Sequence, residues 1–120
     1  MREIQCKQAE FLTMRPLMAK EDSYHRSALK MKEETDEMLA EMDWGNSEPT
    51  PEHIDRVGKE LADVVIYAAT LANLLGINLS EVTLQKIKHN EKRFPAHLFQ
   101  DETQNFHEVY MKRKKELGER

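Results

Sequence analysis

The stretch from Thr50 to Gly76 leaves this chain little choice of fold. Thr50-Pro51-Glu52 reads as a helix start: a side-chain oxygen at the N-cap, a proline at the first helical position where its missing N–H is harmless, and a carboxylate near the positive end of the dipole. Gly76 supplies the stop. Within that span Leu61-Ala62-Asp63-Val64-Val65-Ile66-Tyr67-Ala68-Ala69 is apolar nearly all round, which predicts the central and most buried element of a helical fold. The other segments are patterned the same way. A first helix is expected over residues 3–19, with Ile4, Ala9, Phe11, Leu12, Met14 and Met18 near helical spacing and Pro16 as its weak point. A second fits 23–43, capped by Ser23, with Tyr24, Ala28, Leu29, Met31, Thr35, Met38, Leu39 and Met42 recurring at three- and four-residue intervals. Trp44 to Pro49 is a loop. Ser80 is expected to cap a fourth helix, with Glu81 beside the dipole and Leu84 and Ile87 on the inner face, ending at Phe94-Pro95. A last, charged helix is expected over residues 103–117. There is no repeat and no hairpin pattern. The fold expectation is all-α: a bundle of about four helices over residues 1–100 with a C-terminal helical extension over 101–120. Four helices, one of them apolar nearly all round, leave surface that a 120-residue monomer struggles to cover, so a homodimer or homotetramer is expected.

Charge narrows the partners. The net charge is −4, but Glu33 to Asp63 carries eleven carboxylates against only Arg56 and Lys59. Such a block repels a nucleic-acid backbone, and no nucleic-acid partner is expected. From Leu84 onward nine basic residues face six acids, a balance suited to an anion. The greasiest stretch, Leu61 to Leu75, is interrupted by Asp63, Thr70 and Asn73, so no membrane partner is expected. The first residues mix charges with no signal-peptide core, which points to a cytoplasmic address. Cys6 stands alone, excluding an intramolecular disulfide and a Cys-rich zinc site.

The chemistry is carried by two acidic sets. Glu34 and Glu37 on the second helix point within about 60° of each other, Glu33 and Glu37 within about 40°, and Glu60 and Asp63 on the long helix within about 60°. On a solvated face such neighbours cost only about 0.2–0.5 kcal/mol, so an acidic run alone says little. Packed face to face about 4 Å apart, each pair repels by roughly 4 kcal/mol at an effective dielectric of 20, which demands protons or a cation. Asp63 sharpens the demand, because it sits inside the apolar block where an unpartnered carboxylate is costly. All-oxygen ligation suits Mg²⁺ or Mn²⁺, and Mg²⁺ usually completes its shell with waters and substrate phosphates, so a polyphosphorylated substrate is expected. On the fourth helix Lys86, Asn90 and Arg93 fall at i, i+4 and i+7, one stripe that either binds anions or serves as an ordinary solvated basic face.

Glu33-Glu34-Thr35-Asp36-Glu37 followed by Glu60-Leu61-Ala62-Asp63 resembles the EExxE and ExxD signature of the MazG-like all-α nucleoside triphosphate pyrophosphohydrolases, a superfamily that includes dimeric dUTPases and dCTPase-type enzymes. The likeness spans about residues 29–95 and continues through Leu75-Gly76-Ile77-Asn78-Leu79 to Lys86–Pro95. Two positions depart from it, Asp36 where many relatives have Gly and Met38 where many have Leu. The resemblance implies that Glu34, Glu37, Glu60 and Asp63 hold Mg²⁺ (or Mn²⁺), that Glu33 orients or deprotonates the attacking water, and that Lys86, Asn90 and Arg93 contact phosphates. It further implies attack on the α-phosphorus of a nucleoside triphosphate, with a monophosphate and pyrophosphate as products. Base recognition has no sequence signature: Trp44, Tyr24 and His25 are candidates by region only, Arg56 is a marginal further phosphate contact, and the five histidines show no zinc-ligand spacing. Two other readings stand beside this one. One is a non-catalytic helical interaction module binding a partner through Lys112-Arg113-Lys114-Lys115, and the other is a phosphohydrolase acting on a different pyrophosphate compound such as a phosphoribosyl nucleotide.

Overall fold

A computed structural model describes residues 1–119. The elements are α1 (Arg2–Thr13), α2 (Pro16–Ala19), α3 (Tyr24–Ala40), α4 (Pro51–Leu75), α5 (Leu79–Arg93), a 3-10 turn (Ala96–Leu98) and α6 (Phe106–Glu116). No strand occurs among the described residues, so the chain is all-α as expected. Among the described residues no single helix is long and apolar enough to cross a membrane. Two compact units divide between Leu79 and Ser80.

In the first unit the punctuation marks act as the sequence predicts. Pro16 ends the first helical stretch and restarts it as α2, because a residue before proline is pushed out of the helical region and Arg15 adopts φ −133°, ψ 64°. The Ser23 side chain accepts the Arg26 N–H at 3.1 Å. Thr50 Oγ1 accepts from the His53 N–H while His53 Nδ1 accepts from the Thr50 N–H, a reciprocal cap that closes two open donors of α4. Gly76 takes φ 68°, the left-handed conformation that ends α4.

α4 packs along α3 and, on its C-terminal half, against α1. The α1 contact is fastened by a buried glutamine that the sequence did not single out. Gln5 donates through Nε2 to Asn73 Oδ1 (3.1 Å) and to the Ile77 carbonyl (2.8 Å), and its Oε1 accepts the Leu79 N–H (2.8 Å). Asn73 Nδ2 answers with a bond to the Gln5 carbonyl at 3.0 Å. One side chain therefore ties α1 to the end of α4 and satisfies the first amide of α5. This corrects the expected cap: Ser80 lies within α5, which already begins at Leu79.

The expectation that α4 is fully enclosed also needs correction. Only Ala69, Thr70 and Ala72 on it are buried, while Ile54 is 61% and Leu61 50% exposed. Small residues mark where α1 and α3 come close, and two covering helices cannot reach the remaining faces.

The second unit holds an aromatic cluster. Phe94 stacks on Tyr110 (centroids 5.0 Å) and Tyr110 on Phe106 (5.5 Å), with Phe99 edge-on to Phe94 (5.9 Å). Asn105 Oδ1 accepts the Glu108 N–H and starts α6. Leu84 and Ile87, expected on an inner face, are 62% and 51% exposed, because so small a unit lacks the mass to wrap them.

Replacing Gln5 by Leu strands the Leu79 N–H and the Ile77 carbonyl. The expected loss is about 2–4 kcal/mol in urea unfolding, whereas a change below about 0.5 kcal/mol means that α1 docks without this clamp.

Candidate functional site

The site lies where α3 faces α4. Glu34 and Glu37, one turn apart on α3, and Glu60 on α4 each offer a carboxylate oxygen, and these oxygens lie within 4.8 Å of one another. Helical spacing puts the first two on one face, and the α3–α4 packing brings the third to meet them. Glu34 and Glu60 are half-buried and Glu37 is exposed, so the cluster is open on one side.

Two physical signs mark the cluster as strained without a cation. Glu60 Oε2 is buried and has no hydrogen-bond partner, a state that costs the full desolvation of that oxygen. The Glu34 carboxyl is pushed up to about 7, first by burial, then by the hydrogen bonds its protonated form makes with Glu60 and Glu37, and then by the negative charges of Glu37 and Asp63. Below about pH 7 a proton on Glu34 thus takes the place of a positive charge. A divalent cation fits what the residues offer: hard oxygen donors from two helices, one of them unpartnered, with an exposed side left for other ligands. Asp63, half-buried one turn beyond Glu60, is not among the three converging groups, although its charge reaches Glu34.

The other expected site residues are placed differently. Glu33 is exposed and its carboxylate accepts from Lys30 Nζ at 3.0 Å; it lies about 100° of helix rotation from Glu34 and about 40° from Glu37, and is not among the converging groups. Lys86, Asn90 and Arg93 lie on α5 in the second unit. Lys86 is exposed, whereas Arg93 Nη1 donates to Asn90 Oδ1 at 2.9 Å and the rest of its guanidinium holds the Glu119 carboxylate. Asp36 pairs with Lys32 (3.1 Å) on the solvent side. Arg56 pairs with Glu41 (2.7 Å), and Trp44 stacks on His53 with centroids 5.1 Å apart, which accounts for both without a ligand.

Beside Asp63 opens a cavity of about 460 Å³ that sequence reasoning missed, lined among others by Gln8, Phe11, Asp22, Arg26 and Tyr67. Its walls come from α1, α2, the turn before α3, α3 and α4, so no periodicity within one segment announces it. Phe11 carries the Arg15 guanidinium 3.8 Å over its ring.

A family model described as the MazG nucleotide pyrophosphohydrolase domain matches residues 22–98, more than half of the chain and all of α3, α4 and α5. No curated protein matches the chain.

Because Glu34 titrates near 7 in the fold and near 4.5 unfolded, the folded chain holds a proton that the unfolded chain releases. The stability this proton confers is complete below about pH 4.5 and is lost as pH rises through about 7. Cation binding must displace the same proton, so millimolar Mg²⁺ or Mn²⁺ is expected to raise the Tm by several degrees at pH 8 and little at pH 5. Equal shifts at both pH values in thermal melts place the cation elsewhere.

Proposed function

The chain belongs to the MazG nucleotide pyrophosphohydrolase domain family, and we propose that it is a Mg²⁺-dependent nucleoside triphosphate pyrophosphohydrolase, converting a (d)NTP to (d)NMP and pyrophosphate. The observation that carries this reading is the convergence of Glu34, Glu37 and Glu60 across two helices, with one buried oxygen of Glu60 unpartnered, inside the matched segment.

In this reading Glu34, Glu37, Glu60 and Asp63 would hold the ion, with Mn²⁺ as an alternative to Mg²⁺. Bound there, the cation spreads the charge of the phosphate oxygens and makes a nearby water more acidic. Glu33 orients the attacking water and accepts its proton, which requires its carboxylate to swing from Lys30. The water oxygen bonds to the α-phosphorus, the bond from that phosphorus to the bridging oxygen breaks, and pyrophosphate leaves with the bridging oxygen. Lys86, Asn90 and Arg93 contact the phosphates and offset their charge. The cavity beside Asp63 receives the sugar and base, with Phe11 as the apolar wall against which a base lies.

The reading extends to assembly and place. Ile54, Leu61 and, at 60% exposure, Leu39 leave an apolar surface over α3 and α4 that a second copy of this chain covers, as a homodimer or homotetramer. With a third of its residues charged, the chain is assigned in this reading to the cytoplasm.

Incubation with Mg²⁺ and a panel of nucleotides, reading pyrophosphate, tests the activity. Glu37→Gln and Glu60→Gln are each expected to cut kcat at least about 100-fold while the chain stays folded, and Glu33→Gln to lower kcat while keeping the metal-induced rise in Tm. Silence across every nucleotide, with folded protein, overturns the reading in favour of a non-catalytic helical module, and release only from other pyrophosphate compounds reassigns the substrate. Light scattering on a sizing column is expected to give at least twice the 14.1 kDa chain mass at micromolar concentration, and a monomer overturns the assembly.

A further inference from the structure

The second unit contains an ion pair that bears on the anion-binding stripe. Arg93 closes α5, and its side chain is only 17% exposed. Its Nε donates to Glu119 Oε2 at 3.0 Å, its Nη2 donates to Glu119 Oε1, and its Nη1 donates to Asn90 Oδ1. The guanidinium fork is thereby engaged by a planar pair of anionic oxygens, the pattern a phosphate also presents.

The carboxylate is delivered there by a defined backbone path. After α6 the chain turns at Gly118, whose φ of 74° is open to glycine at little cost, and the N–H groups of Gly118 and Glu119 donate to the carbonyls of Lys115 (3.0 Å) and Lys114 (2.8 Å). α6 is in turn fixed to the end of α5, because Arg113 Nε donates to the Arg93 carbonyl at 2.6 Å and its Nη2 to that of Lys92 at 3.3 Å. Arg93 holds the Glu119 carboxyl below its usual range by hydrogen bonding, with help from the charges of Lys114 and His89.

We propose that the segment after α6 is a built-in competitor for polyphosphate: Glu119 occupies the Arg93 guanidinium, and a triphosphate reaches that residue only when Glu119 lets go. This rests on the reading of Arg93 as a phosphate contact. Lys86, exposed on the same helix, remains open for a first encounter, and release of Glu119 then adds Arg93, still held by Asn90. Apparent affinity is reduced by the fraction of molecules in which the pair is open.

Calorimetry with inorganic tripolyphosphate reads this without turnover, and KM for an accepted nucleotide reads it with turnover. Glu119→Gln is expected to tighten tripolyphosphate binding and lower KM about 5-fold with kcat nearly unchanged, and a chain ending at Gly118 to do the same should the substitution disturb folding. Arg93→Ala is expected to abolish that gain and to cost more affinity in the Glu119→Gln background than in the parent. If Arg93→Ala weakens binding but neither Glu119 variant tightens it, the competitor is overturned while Arg93 stands as a phosphate contact. If Arg93→Ala changes nothing in either background, the phosphate role of Arg93 fails and the proposal with it. A rise in KM on Glu119→Gln overturns the proposal by showing that Glu119 positions Arg93 for substrate.

Discussion

Three acids pressed together across one helix–helix seam set the terms for the first unit. Glu34, Glu37 and Glu60 place oxygens within 4.8 Å of each other at the place where α3 and α4 pack. Left to themselves these groups oppose the contact that brings them together, and the raised Glu34 carboxyl and the orphaned Glu60 oxygen are the visible signs of that opposition. Apolar packing along the rest of α4 supplies the compensation. A helix this greasy is what it takes to hold carboxylates at close quarters, and the helix pays for its composition with faces that α1 and α3 leave bare. Burial and acidity here are two sides of one arrangement, since the scaffold is strong where the site is unfavourable.

Much of this was legible in the residues alone. Caps at Ser23 and Thr50, the break at Pro16 and the stop at Gly76 are local chemistry, and they act in the fold as they read in the sequence. Glu34, Glu37 and Glu60 were legible for a related reason: helical period fixes a face, and a second acidic pair at the same spacing on an apolar helix gives that face something to meet. What remained hidden depends on which segments become neighbours. Gln5 looked like any polar residue in a charged helix, yet it is 8% exposed and fastens the end of α4. The cavity beside Asp63 is assembled from separate segments, and no one of them shows it. Overestimating the enclosure of α4, and of Leu84 and Ile87 on α5, has the same origin: hydrophobicity states which surface seeks cover and is silent on whether one chain contains enough of it. The placement of Ser80 inside α5 arose because Gln5, far away in sequence, already serves the first amide.

Each unit handles charge in its own way. Around Glu34 the carboxylates have no basic partner among the described contacts and share a proton instead, a state that invites a cation. Around Arg93 the balance is closed, since guanidinium, carboxylate and amide satisfy one another and backbone carbonyls absorb the neighbouring Arg113. The surface pairs Lys32–Asp36 and Lys59–Asp55 belong to neither case, because both partners are well exposed and water weakens the attraction. An acidic residue in this chain therefore gains chemical meaning from what faces it more than from the run it stands in.

The Gln5 clamp also constrains the order in which the molecule is put together. Its partners stand 68 to 74 residues further along the chain, so α1 has nothing to hold until the end of α4 has been made. During synthesis α3 and α4 have only a short loop to close, whereas α1 must wait. The N-terminal helix is in this sense the keystone, made early and set last, and the floor of the cavity beside Asp63 is finished only when it arrives.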